Sequence, residues 1–317
     1  MQVRAYTPAD AERWDAFCAE AHGATFLHTR HFLSYHGDRF IDRSLVFEDG
    51  ARWLGVLPAA QSPSRPELVI SHPGITYGGV LHDGALRGEG MLTALQAACG
   101  HYAAAGYTTL LYKPVPHIYH RAPAQDDLYA LFRQGARRVR CELSSCIDLA
   151  HPLPVSERRR RALKKAQRAG LTLDSGAHLA DELWPVLEAN LAERHGQKPV
   201  HSLAEIRLLL ERFPQAIGIT VARLEKQAIA GTVLFITGGV CHTQYVASNA
   251  LGHETGALDL VFDRQITEAR EMKAQFFDFG ISNEDAGRSL NQGLHRFKSE
   301  FGAGGVVHEY YEIDLNR

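Results

Sequence analysis

The sequence predicts an α+β protein built from two tandem units, each a mixed sheet flanked by helices. Two observations predict this class. The order strand–strand–strand–helix–strand occurs twice along 317 residues, and a chain of this length ordinarily forms about two domains. Hydrophobic residues make up 45% of the chain and charged residues 22%, as in folded globular proteins. We therefore expect residues 1–150 to form the first unit and residues 151–317 the second.

Each copy of the repeat begins with a strand hairpin and continues with a third strand. In the first copy the hairpin covers residues 43–60 and the third strand is ITYGGVLH, at residues 75–82. In the second copy the hairpin covers residues 217–236 and the third strand is VCHTQYVAS, at residues 240–248. Apolar runs bounded by Gly, Asn or Asp are typical of strands.

A polar loop containing glycine follows the third strand in both copies, and a helix comes next. The helices are predicted at residues 91–106 and 257–272, where apolar side chains recur at helical spacing. A fourth apolar strand, at residues 108–114 and 275–280, completes each copy. The repeat therefore predicts two units of the same topology.

Further helices and one strand lie outside the two copies. Thr7-Pro8 predicts the start of an N-terminal helix. Ser202 with Glu205 predicts a capping box at the start of a helix between the two copies. Residues 305–315, GVVHEYYEIDL, alternate well enough to predict a closing strand in the second unit.

The run ERRRRALKKAQR concentrates seven basic residues and one acidic residue in a chain whose net charge is −2. Ser156 as N-cap and Gly170 as the following stop predict a joining helix over residues 156–169. The run is either a solvated helix face or a site for a phosphate-bearing ligand, because guanidinium groups bind phosphate bidentately. In the second interpretation Arg158 and Arg161 bind the ligand.

Composition excludes several classes of protein. No window reaches the roughly 18 apolar residues that a membrane span needs, and the N-terminal residues lack the apolar core of a signal peptide. Five cysteines show no metal-binding or redox spacing, and the 17 histidines form no HExxH motif. We expect a reduced cytoplasmic protein without a bound metal.

Several ordered blocks resemble a known family. They are SHPGITYGGVLHD, the Arg-rich run, HTQYVASN, FDFGISNEDAGRSLNQGL and RFKSEFGA. Together they resemble a doubled acyl-CoA N-acyltransferase (GNAT) fold, and more narrowly its FemAB-like branch. The resemblance implies an enzyme that acylates amino sugars for bacterial surface polysaccharides, with acyl-CoA as co-substrate. The related FemABX branch transfers amino acids from aminoacyl-tRNA to peptidoglycan precursors.

Two residues are the predicted catalytic groups. Asp278 lies in the apolar strand FFDFG, where an unpaired carboxylate is costly to bury, so it either has a partner at an exposed strand end or has a raised pKa. Lys298 matches, by resemblance, the FemAB-like lysine that supports transfer by stabilising negative charge. Its alternative role is structural, at a helix end. Leu290 and Leu294 are predicted in a core stripe beside it.

The predicted substrate-binding residues come from both units. A basic and aromatic segment after the fourth strand of the first unit suits a sugar nucleotide, although a structural loop is the alternative. From the first unit we predict Tyr77, Lys113, His117, Tyr119 and His120. From the second unit we predict His242, Gln244, Tyr245, Ser282, Asn283, Glu284, Asn291 and His295, in addition to Arg158 and Arg161.

The loop from Asn249 to Ala257 corresponds to the phosphate-binding loop of the resembled fold. It keeps glycines but not the usual spacing. Its backbone N–H groups at a helix start could meet the phosphates of acyl-CoA, which makes Gly252, Gly256 and Ala257 the predicted cofactor-binding residues.

The leading hypothesis is an N-acyltransferase that moves an acyl group from acyl-CoA to the amine of a small-molecule amino-sugar precursor, linked to a nucleotide. The first alternative is an aminoacyltransferase that uses aminoacyl-tRNA. The second is a non-catalytic module that binds anionic glycans or RNA.

Overall fold

The computed structural model describes residues 1–316, except for the side chains of Arg194 and His195. The described chain forms two compact units. The first contains residues 1–143, 283–289 and 307–316, and the second contains residues 144–282 and 290–306. The predicted division at residue 150 placed the C-terminal strand in the second unit. The structure places its last part in the first unit, because Tyr311 there pairs with Tyr112.

Within residues 1–143 and 307–316 the first unit contains eight strands or parts of strands and four helices, in addition to short 3₁₀ turns. In chain order they are β1 (Gln2–Ala5), α1 (Ala11–Glu20), α2 (Arg30–Leu33), β2 (Leu45–Asp49), β3 (Arg52–Leu57), β4 (Ala60–Gln61), β5 (Leu68–Ile70), α3 (Glu89–Ala104), β6 (Thr109–Tyr112), α4 (Asp126–Arg133) and the start of β7 (Arg137–Asp148), which ends in the second unit; the eighth is the end of the last strand of the chain.

The second unit is formed by the rest of the chain, apart from a short connection that belongs to the first. Its elements are α5 (Glu157–Arg168), β8 (Leu171–Ser175), α6 (Ala180–His195), α7 (Leu203–Arg212), β9 (Ile217–Leu224), β10 (Gln227–Thr237), β11 (Val240–Ser248), α8 (Ala250–Thr255), α9 (Ala257–Glu271) and β12 (Phe276–Ile281). The short strands β13 (Asn283–Glu284) and β14 (Ser289–Leu290), the helix α10 (Gln292–Ser299) and β15 (Gly304–Asp314) complete the chain.

The first unit has one antiparallel sheet and one mixed sheet. Strands β1, β2 and β3 form an antiparallel three-stranded sheet. In a second sheet β5 pairs with β4 antiparallel and with β6 parallel, and the end of β15 pairs with β6 antiparallel. Leu95, Ala98 and Tyr102 of α3 pack on the side chains of Leu45 and Phe47 from β2, so α3 covers one face of the unit.

The predicted third strand of the first copy, residues 75–82, is wrong. Only a single bridge between Leu81 and Val56 forms there. Gly79 has φ +89°, outside the strand region, and a Cβ on Gly78 would lie 2.2 Å from the carbonyl oxygen of Ser71. The chain therefore turns at this glycine pair, and the parallel neighbour of β6 is β5, from before that segment.

The sheet of the second unit follows the order β8–β9–β10–β11–β12 and ends on the last part of β7. All pairs are antiparallel except β11 with β12, so this sheet is mixed, as predicted. Phe262 of α9 packs against Phe277 and Phe279 of β12 and against Phe301 after α10. The α+β class with helices flanking mixed sheets is confirmed.

The basic joining helix forms where the sequence predicts it. Ser156 accepts a hydrogen bond from the backbone N–H of Arg159, at 3.2 Å, and caps α5. Ala166 is fully buried, and the helix packs on α9 through its small residues. Among residues 1–316, no helix is both long enough and apolar enough to cross a membrane.

Candidate active site

The parallel strands β11 and β12 are paired over only three residues and then separate. His242 is the last paired residue of β11 and lies opposite Asp278 of β12. On its other side β12 pairs with β7, where the register shifts between Asp278 and Ile281. A bulge of this kind redirects side chains and ends regular pairing. The polar side chains of His242 and Asp278 therefore lie side by side at the point where β11 and β12 separate.

Asp278 is completely buried, and three donors satisfy its carboxylate. Ser144 Oγ–H and the backbone N–H of Gly280 donate to Oδ1, the latter at 3.1 Å. His242 Nδ1 lies 2.9 Å from Oδ2. The sequence left two alternatives for Asp278, a partner at an exposed strand end or a raised pKa. The structure gives it partners in a buried position. These contacts offset the cost of burying the carboxylate.

The contact with Asp278 fixes the role of each nitrogen of His242. A carboxylate accepts hydrogen bonds and donates none, so Nδ1 carries the proton and Nε2 keeps its lone pair. The side chain of His242 is 14% exposed, which leaves part of the ring accessible to a ligand. A buried acid that orients an accessible imidazole is the arrangement that general base catalysis uses.

Gly280 gives the two side chains their space. Its φ is +76°, which favours glycine. A Cβ at this position would lie 3.4 Å from Cε1 of His242. The glycine therefore allows the backbone to pass close beside the imidazole ring.

Lys298 reaches the same glycine from α10. The side chain is only 7% exposed, and Nζ donates to the carbonyl oxygens of Gly280, at 3.0 Å, and Ile281, at 2.6 Å. Burial lowers the pKa of Lys298 to about 8, although the neighbouring charge of Asp278 acts in the opposite direction. The group stays mostly protonated at pH 7, and an ammonium has one further N–H to donate.

The other predicted residues of α10 support its start and one side of the site. Asn291 caps the helix by accepting from the N–H of Leu294 at 3.0 Å. His295 Nδ1 lies 3.4 Å from Ser145 Oγ. The predicted core stripe is wrong at Leu290 and Leu294, which are about 40% exposed, because the lysine beside them takes the buried position.

The remaining predicted residues of the second unit lie along the two strands and after them. Gln244 is half-buried. Tyr245 accepts a hydrogen bond from the backbone N–H of His201 at 3.1 Å, and burial raises its pKa to about 12. Ser282 is buried, and its hydroxyl has no hydrogen-bond partner within residues 1–316. Glu284 is exposed.

Asn283, which belongs to the first unit, is engaged by the backbone. Its Oδ1 accepts from the N–H of Leu143 at 2.5 Å. The predicted side chains of the first unit are mostly packed as well: Lys113 donates to the carbonyl oxygen of Ile75, and the buried rings of Tyr77 and Tyr119 stack at 4.5 Å.

The two predicted histidines of the first unit differ in exposure. His117 is exposed. Burial lowers the pKa of His120 to about 4, so its ring is neutral at pH 7. The segment that the sequence predicted here for a sugar nucleotide therefore exposes His117 and Arg121, while Lys113 and Tyr119 are buried.

The predicted anion-binding arginines have different partners. Arg158 pairs with Glu300 at 2.7 Å, and the neighbouring Arg159 pairs with Asp259 at 2.8 Å. Arg161 is exposed and forms no ion pair with any residue from 1 to 316. Of the two predicted residues, Arg161 is thus the one whose guanidinium remains available to a ligand.

The loop predicted for the phosphates of acyl-CoA does not fit them. A Cβ on Gly252 would lie 2.5 Å from the carbonyl oxygen of Ile229, and Ala257 is fully buried. A Cβ on Gly256 would lie 3.3 Å from the carbonyl oxygen of Ala162 in α5. The joining helix therefore covers the N-terminus of α9. In the described residues we find no cluster of His, Cys, Asp and Glu placed to hold a metal ion.

Comparison with known proteins places this site in a recognised domain. Residues 155–298 match the family described as acetyltransferase (GNAT) domain. The range begins just before α5 and ends at Lys298, so it contains Asp278, His242 and Gly280. No curated protein sequence matches the chain significantly.

Solved structures are similar over nearly the whole chain. FemX is 13% identical with a TM-score of 0.70, over 100% of this chain and 98% of FemX. L-PGS from Bacillus licheniformis is 14% identical with a TM-score of 0.64, over 99% and 94%. A tandem GNAT protein from the clavulanic acid biosynthesis pathway is 16% identical with a TM-score of 0.55, over 99% and 98%. At such identities the similarity establishes the fold.

The architecture is therefore a doubled GNAT fold, as the sequence predicted, and it is similar to the fold of FemX. Its second unit carries the acetyltransferase (GNAT) domain, and this domain supports the predicted class of enzyme, an acyltransferase. The sequence did not single out Ser144, Ser145 or Gly280. For Gly280 a signal was present, because a glycine directly after an apolar strand often marks a left-handed residue.

Proposed function

We propose that the second unit transfers an acyl group to the amine of an amino-sugar precursor. The proposed machinery is His242, held by Asp278, together with Lys298. The observation that carries the proposal is the convergence of these groups on Gly280. The ring of His242 lies against the glycine, while Lys298 Nζ is 3.0 Å from its carbonyl oxygen.

His242 is the proposed general base. An amine must be neutral to attack a carbonyl carbon, and it must lose a proton once the new C–N bond forms. Nε2 of His242 accepts this proton, because Nδ1 is engaged at 2.9 Å by Asp278. The imidazolium that results is stabilised by the buried Asp278 carboxylate, which accepts a hydrogen bond from Nδ1.

Lys298 is the proposed stabiliser of negative charge. Attack on the acyl carbonyl places charge on its oxygen, and a fixed cation lowers the energy of that state most effectively where water is excluded. Two backbone carbonyls hold the ammonium in position. The third N–H is the one proposed to donate to the oxyanion.

The donor is proposed as an activated acyl ester or thioester. Its C–O or C–S bond breaks when the tetrahedral intermediate collapses, and the alcohol or thiol leaves with the proton that His242 accepted from the amine. Acyl-CoA is the donor that the resemblance implies, but α5 covers the helix start where its phosphates were predicted. This covering favours the second candidate, transfer of an aminoacyl group from aminoacyl-tRNA, because that donor does not depend on the loop of Gly252 and Gly256. The similarity in fold to FemX also supports it.

The test is an assay with UDP-linked amino sugars and either acetyl-CoA or aminoacyl-tRNA, with the product detected by mass spectrometry. We expect His242→Gln to lower turnover about 10²- to 10⁴-fold, the range of general base catalysis. His151→Gln, at a histidine whose side chain is 85% exposed, is the matched control. Full turnover by His242→Gln would refute the proposed base. Binding of glycan or RNA without turnover of any donor would support the non-catalytic alternative.

A further inference from the structure

One face of α5 carries an unneutralised positive charge that the proposed acyl transfer does not use. We call Arg161, Lys164, Lys165 and Arg168 the basic face. Their spacing, i, i+3, i+4 and i+7, places them on one side of a helix. They line a shallow surface hollow of about 440 Å³.

The other cations of α5 are neutralised by carboxylates, which sets the basic face apart. Arg158 pairs with Glu300, Arg159 with Asp259, and Arg160 with Glu157. Within the described part of the chain, none of the four residues of the basic face forms an ion pair. Lys165 and Arg168 stabilise the carbonyls of the last turn, but Arg161 and Lys164 lie before that turn.

Apolar side chains stand exposed beside this helix. Leu153 is 55% exposed and Val155 is 38% exposed, and both lie in the segment that enters α5. The backbone of this segment is held in place, since Leu153 N donates to the carbonyl oxygen of Gly302 at 3.1 Å and Ser156 N to that of Glu300 at 3.0 Å. The two side chains are therefore presented to solvent by an ordered backbone.

We propose that α5 and the segment before it dock the protein on an anionic phospholipid surface. Lipid phosphates would neutralise the basic face, and Leu153 and Val155 would enter the boundary between head groups and acyl chains. Basic residues close to an anionic bilayer and a few apolar side chains together give reversible surface binding. This proposal concerns where the enzyme works and does not depend on the proposed function.

Two other polyanions fit the basic face less well. The hollow contains only Ala169 besides the four cations, so it offers no group to recognise the base or sugar of a nucleotide. The exposed positions of α5 include no aromatic side chain on which RNA bases could stack. The charge complementarity is therefore with a surface of phosphates, and the exposed apolar pair favours a lipid surface.

The experiment is co-sedimentation of the full chain with vesicles of phosphatidylcholine alone and of phosphatidylcholine with about one third phosphatidylglycerol. We expect binding to the anionic vesicles only, and loss of that binding when salt rises from about 0.05 M to about 0.5 M. Lys164→Ala/Lys165→Ala should weaken binding about 30-fold, at roughly fivefold per cation near the surface. Leu153→Ser should weaken it by a smaller factor.

The matched control is Lys226→Ala/Lys273→Ala, which removes two exposed lysines from other parts of the second unit. It should bind like the unmodified chain, and circular dichroism spectra should show both double variants to be folded. The proposal would be overturned if the unmodified chain bound neutral vesicles as well as anionic vesicles. It would also be overturned if the two double variants bound anionic vesicles equally well. Tight, salt-sensitive binding of a labelled RNA by the basic face when anionic vesicles do not bind would overturn it as well. The salt and lipid dependence of the unmodified chain decides the matter even if a variant misfolds.

Discussion

Each unit contains a pair of parallel strands, but only in the second unit is the last residue pair of those strands made of ionisable side chains. In the first unit β5 and β6 are paired over three residues, and the last pair is Ile70 with Leu111. In the second unit β11 and β12 are also paired over three residues, and the last pair is His242 with Asp278. The same backbone arrangement thus carries a hydrophobic pair in one copy and an acid–base pair in the other.

Each unit also buries a lysine against backbone carbonyls, and the comparison shows what distinguishes them. Lys113 donates to Ile75, and burial together with the charge of Arg140 lowers its pKa to about 7. Lys298 donates to Gly280 and Ile281 and lies beside the charge of Asp278. A buried lysine alone therefore does not mark a site; a neighbouring carboxylate that holds a histidine does.

The largest expected effect separates these two lysines by activity. Lys298→Met keeps much of the apolar side chain but removes the ammonium, so turnover should fall about 100-fold or more, equivalent to roughly 2.7 kcal/mol. Lys113→Met should change turnover far less, because that ammonium has no acid–base pair beside it. Steady-state kinetics on both variants, with substrate binding measured separately, check the prediction.

The outcomes divide cleanly between the possible roles of Lys298. Loss of turnover with unchanged substrate binding supports charge stabilisation, and loss of binding alone makes the residue a substrate clamp. Loss of folding makes it structural. If Lys298→Met retains full turnover, or if Lys113→Met is the inactive variant, the assignment of the chemistry to the second unit fails.

The fold class could be predicted from hydrophobic spacing, and Asp278 could be singled out as an isolated acid in an apolar strand, because both are local signals. Lys298 was singled out by resemblance. The partners of Asp278 could not be predicted. Ser144 precedes it by 134 positions, and no local pattern brings them together. The covering of Gly256 by α5 likewise depends on how two distant helices pack. The strand predicted at residues 75–82 does not form, because the chain turns at Gly78 and Gly79 although the neighbouring residues are apolar.

A smaller effect is expected from Gly280→Ala. A left-handed alanine costs about 1–2 kcal/mol, and here its Cβ would also contact the ring of His242, 3.4 Å away. Gly170→Ala is the matched control, because its φ is +69° but nothing lies within 4 Å of the added carbon. Both variants should lose similar stability in urea denaturation, and only Gly280→Ala should lose additional activity. Equal kinetics in the two variants would show that Gly280 serves the turn alone.

The last prediction is a pH dependence of stability that distinguishes the two lysines. The pKa of Lys113 is about 7 in the folded protein and 10.5 as its ordinary value, so between these pH values the unfolded chain holds one more proton. Stability contributed by this group therefore rises with pH, by at most about 1.4 kcal/mol per pH unit.

Lys113→Met removes that dependence, and its stability relative to the unmodified chain should be highest below pH 7 and decline towards pH 10. For Lys298→Met the decline should begin about one unit higher, since the folded pKa is about 8. Urea denaturation at several pH values measures both curves. If the difference in stability between each variant and the unmodified chain stays constant from pH 7 to pH 10, the buried ammonium groups are not destabilised by their surroundings.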